Sequence, residues 1–404
     1  MLSQWQNSLN KFSQVNPEKI LFPYFQPIFC IASGLIVGYE ALARQYDEQG
    51  QVISAGKLFS SPSIPEEQLI AWDRMVRHQA LTQFSQLNYK GYLAINISAS
   101  WIDHVTDLKA LPTLQMLDKL NIDRSRIIIE ITESHCDLDK IAAVVREYRK
   151  HDLKVAIDDF GAGFSQLERI MAIRPDILKL DMRLFKQAVK GGIANEVVHL
   201  LNRLSMRTAC RIVCEGVETD NEFFYALSCG TQYVQGHLFS PAEAVFKAPD
   251  HHQRHIESLR QKFLKKTLLR ERQKMQSTRK IKALVEILRQ ALVSDFNLDE
   301  LSAHPFEESG VLRFYLCNNE GNQISSNFNF AGGKWFEEPR EIGFNWSWRP
   351  YFYHLLALEH ASTNNRLVAS EHYRDFHTDQ LCRTLSLRLD ENRILSIDIV
   401  AEPS

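Results

Sequence analysis

Between about Tyr24 and Ala244, short apolar runs alternate with longer stretches whose apolar residues recur at helical spacing. That rhythm predicts an α/β architecture with a largely parallel sheet. Eight runs read as strands, at 23–30, 35–41, 91–97, 126–132, 154–158, 176–181, 209–215 and 231–235. Eight strands within about 220 residues suit a closed barrel better than an open sheet. The first junction differs from the others. FQPIFC and LIVGYEAL are separated only by IASG. A parallel crossover needs about a dozen residues, so these two strands must pair as an antiparallel hairpin. The expectation is a modified (β/α)8 barrel with one reversed strand.

From about Asp250 to Leu292 the pattern changes. This stretch holds no Gly or Pro, and Ile256, Leu259, Phe263, Leu268, Ile281, Leu284, Val285 and Leu288 fall on one helical face. Basic residues outnumber acidic ones several-fold. The spacing predicts a connector helix whose stripe packs on a domain or on its twin. Aromatic interleaving is almost absent, which disfavours nucleic acid and anionic lipid as partners. Beyond it, RFYLCNNEGNQISSNFNF reads as a hairpin turning at Asn-Asn-Glu-Gly, and RTLSLRLDENRILSIDIV as another turning at Asp-Glu-Asn. SWRPYFYHLLALEHA reads as helical and ASEHYRDFHTD as a loop. The organisation expected is a barrel over 1–248, a connector helix over 249–292 and a small α+β domain over 293–404.

Polar residues close the barrel's apolar runs. Glu40 closes LIVGYEAL, Asn96 closes YLAIN and Glu130 follows RIII. Asp158 and Asp159 close KVAIDD, Lys179 and Asp181 follow DIL, and Glu215 follows RIVC. One such residue is ordinary. The same event on six strands predicts ends that converge on one charged site at the C-terminal mouth. Carboxylates packed together repel, so they call for cations. An all-oxygen donor set favours Mg²⁺ or Mn²⁺ over Zn²⁺. Adjacent Asp158 and Asp159 suit two cations, and two metals ~3.5–4 Å apart can share an activated water at a phosphodiester. Any single acid here could serve only as an ion-pair partner or helix cap. All of them together are hard to explain that way.

Composition narrows the setting. The 404 residues are 45% hydrophobic and 24% charged, ordinary for a globular protein. A net charge of −2 gives no global pull toward nucleic acid or membrane. The 7 cysteines form no CxxC pair and read as reduced packing residues. The start lacks a signal-peptide pattern, and no apolar run approaches the ~20 residues that span a bilayer. The expectation is a cytoplasmic protein without membrane insertion.

The motifs EAL (Glu40 to Leu42), NIS (Asn96 to Ser98), EITES (Glu130 to Ser134), DDFGAGFSQL (Asp158 to Leu167), KLD (Lys179 to Asp181), EGVET (Glu215 to Thr219) and QG (Gln235-Gly236) occur in this order. In that order they resemble EAL-domain cyclic di-GMP phosphodiesterases, over about residues 20–245. The resemblance implies hydrolysis of cyclic di-GMP to linear pGpG with two Mg²⁺ or Mn²⁺ ions. It implies Glu40, Asn96, Glu130, Asp158, Asp159 and Glu215 as metal ligands, and Lys179 as the lysine that holds or helps activate the attacking water. Gln26 and Arg44 match substrate contacts, Arg being suited to bind phosphate in two bonds. Glu218 and Gln235 match an acid and an amide at the rim. Ser165 matches a loop serine tied to the second Glu of ExxE, here Glu133. A homodimer is implied as well. The alternative is a catalytically weak or inactive receptor that binds the dinucleotide and signals by shape.

After Arg44 the chain departs from the family. Relatives carry a tryptophan and a Pro/Gly-rich segment there, whereas this chain reads QYDEQGQVISAGKLFSSPSIPEEQ. The C-terminal third resembles PAS-like, Cache-type regions that accompany EAL domains, through WRPYF, the Tyr373–Asp375 loop and the closing strand. There Trp346, Trp348, Arg349, Tyr351, Tyr373 and Asp375 are candidates for a small-ligand pocket suited to a zwitterion or carboxylate. An Arg349–Asp375 ion pair is the structural alternative.

Overall fold

The computed structural model describes residues 21–59, 61–98, 101–102, 105–132, 137–162, 166–294, 296–306, 309–358 and 367–401. The chain divides into two compact units, Met1–Lys265 and Lys266–Ser404.

The first unit is built on β1 (Phe22–Cys30), β2 (Ile36–Tyr46), β3 (Val52–Ser54), β4 (Tyr92–Ile97), β5 (Ile127–Ile131), β6 (Lys154–Phe160), β7 (Ile177–Leu180), β8 (Arg211–Cys214) and β9 (Tyr233–Val234). Their order is β1-β9-β8-β7-β6-β5-β4-β2-β3, and β1 also pairs with β2, which closes the barrel. β1 lies antiparallel to both neighbours, while β2 and β4 to β9 pair in parallel. The eight expected strands and the reversed first one are therefore all present. The ninth, β3, is an exposed flap on β2 that the sequence pattern does not announce.

A strand's two-residue period divides each barrel strand between two cores. Ile28, Ala94, Ile128, Ala156, Ile177, Val213 and Tyr233 form one apolar cluster inside the barrel. Their outward neighbours, such as Leu93, Ile127, Ile129, Val155, Leu178 and Ile212, join the larger core beneath the helices. Two residues further along each parallel strand the inward position turns polar: Asn96, Glu130, Asp158, Lys179, Glu215 and Gln235. In β2, Glu40 follows Gly38, where a Cβ would lie 2.4 Å from the Tyr92 ring. In reversed β1 the order inverts, so Gln26 precedes Ile28 and stands opposite Glu40. All eight barrel strands thus raise a polar side chain above an apolar floor. Truncating Ile128 to Ala in that floor would cost about 2–5 kcal/mol.

The helices include α1 (Glu66–Ser85), α2 (Pro112–Leu120), α3 (Leu138–Lys150), α4 (Gln166–Ile173), α5 (Met182–Val189), α6 (Ile193–Thr208) and α7 (Asp220–Ser228). α3 shows why they form. The Asp137 carboxylate accepts the N–H groups of Asp139 and Lys140 at the N-terminus, and Ile141, Val144, Val145 and Tyr148 bury one face. α7 starts on a reciprocal capping box between Thr219 and Glu222. A long helix, α8 (Gln253–Val293), begins in this unit, where Ile256 and Leu259 enter the barrel's outer core. The boundary between the units falls inside it. Leu268, expected on its packing stripe, is exposed.

The second unit carries β10 (Val311–Cys317), β11 (Asn327–Ala331), β12 (Lys334–Glu338), β13 (Val368–Ala369), β14 (Tyr373–Arg374), β15 (Leu381–Arg388) and β16 (Ile394–Val400), with α9 (Pro350–Leu358). The sheet order is β12-β11-β10-β16-β15-β13, and β14 pairs β15. One face buries Phe314, Leu316, Leu385, Leu395 and Ile397 against Ile281, Leu284, Val285 and Leu288 of α8. The other carries Tyr315, Cys317 and Ile394 against Tyr351, Phe352 and Leu355, beside buried Arg313, Thr384, Ser396 and Asp398. The Asp-Glu-Asn hairpin joins β15 and β16 as expected. Asn318–Gly321 does turn, but β10 and β11 resume pairing only at Phe314↔Phe328 and Arg313↔Asn329. The segment expected as a loop, 369–379, contains β14 and the last residue of β13. Gly332 and Gly333, with φ of 58° and 77°, make the two-residue turn between β11 and β12. The six cysteines among the described residues are free.

Candidate active site

At the barrel mouth the inward polar residues converge on one ammonium. Lys179 Nζ lies 2.8 Å from Asp158 Oδ1, 2.8 Å from Glu215 Oε1, 2.9 Å from Glu40 Oε2 and 3.1 Å from Glu130 Oε1. Lys179 and Glu130 are each 1% exposed, beneath the floor of the mouth. An ammonium has three donors, so it cannot satisfy four carboxylates at once. With Asp159 included, five carboxylates face one cation. Asn96 Nδ2 donates to Glu40 Oε1 at 3.1 Å, and Gln235 Nε2 donates to Glu40 Oε2 at 2.8 Å and to Gln26 Oε1 at 3.2 Å.

The electrostatics follow from burial and crowding. Burial pulls the Lys179 ammonium down, but Asp158, Glu130, Glu215 and Glu40 outweigh it and hold the pKa well above the usual lysine value. Burial, with Lys179 opposing and the other acids adding to it, lifts Glu130 and Glu215 well above the carboxylate range. Asp158 is raised by burial as well. Asp159 is pushed up to about 6 by burial and by the charge of Asp158. Glu40 is the exception: burial raises it, but Lys179, Gln235 and Asn96 together leave it lowered.

Oxygens of Glu40, Glu130 and Asp158 lie within 4.8 Å of one another, as do those of Asp158, Asp159 and Glu215. The two groups share Asp158. Asn96 Oδ1 and Glu130 Oε2 are buried acceptors without a hydrogen-bond partner. Hard oxygen donors in excess of local positive charge, with orphaned acceptors beside them, fit divalent cations of the Mg²⁺, Mn²⁺ or Ca²⁺ kind.

Above the cluster, Gln26, Glu40, Arg44, Asn96, Asp158, Asp159, Glu215, Glu218 and Gln235 line one cavity of about 750 Å³. Arg44 stands opposite Ser54 of β3, and burial lowers its pKa. Glu218 pairs with Lys186 at 2.7 Å on the rim. Gly236 keeps Gln235 in place by close approach, since a Cβ there would sit 2.1 Å from the Val217 carbonyl oxygen. Glu133 and Ser165 lie outside the described residues.

Several wall residues carried no sequence signal. Ser54, Gly56 and Phe59, from the divergent segment after Arg44, line the cavity, as do Asp73 and Arg77 of α1. Buried Arg77 is tied to Asp73 and donates to Thr113 Oγ1 at 2.9 Å. Asp181 lines the cavity too, but its carboxylate accepts the Arg183 N–H at 2.9 Å and caps α5.

In the second unit Trp348, Arg349 and Tyr373 come together, and Tyr351, on α9, is buried against the sheet. Asp375 does not pair with Arg349. It pairs with Arg313, whose Nε also lies 3.3 Å from Asp398 Oδ2. Arg313 reaches Asp375 from inside the sheet, where the sequence pattern gave no hint of a cation.

A closed barrel with a reversed first strand and a ring of oxygen donors over a lysine defines the class: the chain belongs to the EAL-domain family. Residues 11–242 match the EAL domain, and residues 248–402 match the EAL-domain associated signalling protein domain. Among individual relatives, the uncharacterized EAL-domain containing protein YkuI of Bacillus subtilis (strain 168) is 28% identical over 393 residues, 94% of each chain. The crystal structure of YkuI in complex with substrate c-di-GMP and calcium superposes with a TM-score of 0.81 at 25% identity, covering 98% of this chain and 99% of that one. The cyclic di-GMP phosphodiesterase PdeL of Escherichia coli (strain K12) is 25% identical over 225 residues, 54% of this chain and 61% of that protein. The resemblance of both parts of the chain is thereby borne out. Among the described residues no helix is long and apolar enough to cross a membrane.

Proposed function

We propose that this chain hydrolyses cyclic di-GMP to linear pGpG, with divalent cations held by Glu40, Asn96, Glu130, Asp158, Asp159 and Glu215. The observation that carries the reading is the pair of oxygen groups sharing Asp158 at the base of an arginine-flanked cavity of about 750 Å³. Bound there, Mg²⁺ or Mn²⁺ ions would make water a nucleophile near neutral pH and neutralise charge developing on the phosphoryl oxygens. The chain's own groups do the rest. Arg44 offers a planar fork to a phosphate, and Gln26 and Gln235 supply amides beside it. Lys179, its ammonium within 3.1 Å of four carboxylates, would donate to anionic oxygen. Attack on phosphorus in line with the departing ribose oxygen needs this fixed geometry more than it needs a strong side-chain base.

A second reading, a receptor that binds the dinucleotide without turning it over, draws on one observation. Lys179 makes ion pairs with four of the six proposed ligands and competes with cations for them. Incubating the purified full chain with cyclic di-GMP and Mn²⁺ separates the two. Accumulation of pGpG supports the hydrolase; tight binding with intact dinucleotide supports the receptor. In either case the domain formed by residues 293–404 would set the barrel's state, in a homodimer.

A further inference from the structure

Arg349 sits just before α9 with its Cζ 4.7 Å from the Tyr373 ring centroid, 5.1 Å from that of Trp348 and 5.2 Å from that of Trp346. The collar is fixed rather than incidental. Trp346 Nε1 donates to Gln323 Oε1 at 2.9 Å, and the Tyr373 hydroxyl bonds Asp398 Oδ1 and Thr384 Oγ1, each at 2.9 Å. Backbone bonds from Arg349 N to Trp346 O and from Phe352 N to Arg349 O, both 3.0 Å, lock the turn that presents the side chain. Yet among the described residues Arg349 forms no ion pair, and its Nε is buried without a hydrogen-bond partner. The carboxylates nearby, Asp375 and Asp398, are taken by Arg313.

We propose that Arg349 and its aromatic collar form a binding site for a small monocarboxylate carried on an apolar or aromatic group. Rings over a guanidinium satisfy its faces but not its edge, where five N–H donors lie in one plane. A carboxylate fills that edge with two parallel, charge-assisted bonds. The same rings receive the ligand's apolar body. A dianion such as phosphate is disfavoured. With Asp375 and Asp398 taken by Arg313, Arg349 offers a single positive charge, which a monocarboxylate matches and a dianion exceeds. A quaternary ammonium suits aromatic collars in general, but here it would have to evict a tethered cation.

The full chain should be titrated calorimetrically with acetate, benzoate and phenylacetate, and with benzamide and phenylacetamide as uncharged matches. Saturable binding of benzoate or phenylacetate, but not of its amide, is expected. Arg349→Gln should weaken it at least about tenfold, the loss of a charged hydrogen-bonding partner. Arg349→Lys should weaken it too, because lysine lacks the fork. Should Arg349→Gln unfold the domain, Trp348→Ala replaces it: this ring is 66% exposed, and its loss should lower affinity without lowering the melting temperature. The proposal is overturned if no carboxylate saturates in the millimolar range, if the amides bind equally, or if the folded variants bind as wild type does. Choline binding in place of carboxylates would also overturn it. The titration reads binding alone, so its outcome is separate from that of hydrolysis at the barrel.

Discussion

Asp158 and Asp159 are consecutive residues of one strand, yet both face the same cavity. A regular strand would send the second to the opposite side. The backbone at Asp159 instead turns left-handed, with φ of 53°, and the pairing of β6 with β7 shifts register between Ile157 and Phe160. Aspartate tolerates that conformation better than most side chains. The kink allows one strand end to serve both oxygen groups. Asp159→Asn keeps the backbone preference and removes a charge. It should lower hydrolysis at least about 10²–10³-fold, the scale of losing one electrostatic stabiliser of a transition state. Dinucleotide binding should stay measurable in the same variant. Wild-type pGpG formation by Asp159→Asn would contradict the two-cation assignment.

On the proposed reading Lys179 has two opposed parts, and its removal should separate them. Without the ammonium, Glu40, Glu130, Asp158 and Glu215 lose their shared counter-charge. Lys179→Met should therefore bind Mn²⁺ more tightly in calorimetry while turning over cyclic di-GMP far more slowly. In the presence of a chelator it should also be less stable, by about 3–5 kcal/mol if the acids stayed ionised and less if they take up protons. A variant with unchanged Mn²⁺ affinity would show that the lysine and the cations do not compete.

Cation binding should weaken on acidification. The Asp159 carboxyl is pushed up to about 6, so below that pH a cation must displace a proton. Mn²⁺ affinity should fall several-fold between pH about 7.5 and about 5.5, with proton release on binding. Stability without cations runs the other way. A carboxyl whose folded pKa is raised binds protons more tightly in the folded chain, so its contribution grows as pH falls from about 6 toward the unfolded value. Melting temperatures measured with a chelator should show that trend, and Asp159→Asn should flatten it.

The second unit depends on Arg313. It holds Asp375 and lies 3.3 Å from Asp398, and both acids are buried. Arg313→Met leaves two acids without their cation and should destabilise this unit by about 3–5 kcal/mol. Urea unfolding of the full chain, followed by a probe in this unit, measures the loss. Asp398→Asn retains a polar partner for Tyr373 and Thr384 and should cost less.

The barrel was legible because its strands repeat one rule, apolar then polar two residues on, and because a four-residue connection cannot make a parallel crossover. The polar ends of β2 and β4 to β8 were legible for the same reason. β3 was not: its three residues are exposed, so no burial pattern marks them. Nor was the partner of Asp375. Arg313 lies within an otherwise apolar strand, and only strand pairing brings it across to β16 and the Tyr373 turn. The central contact of the mouth was beyond reach for a similar reason. Lys179 stood out by resemblance, but which acids surround one ammonium depends on how four separate strands align.

The boundary inside α8 has a practical corollary. Ile256 and Leu259 are fully buried in the barrel's outer core although they lie downstream of the last barrel strand. An expression fragment ending at 248 would strip two aliphatic plugs from that core and leave Phe239 and its neighbours facing water. A self-sufficient barrel fragment has to carry the opening turns of the helix, to about Lys265.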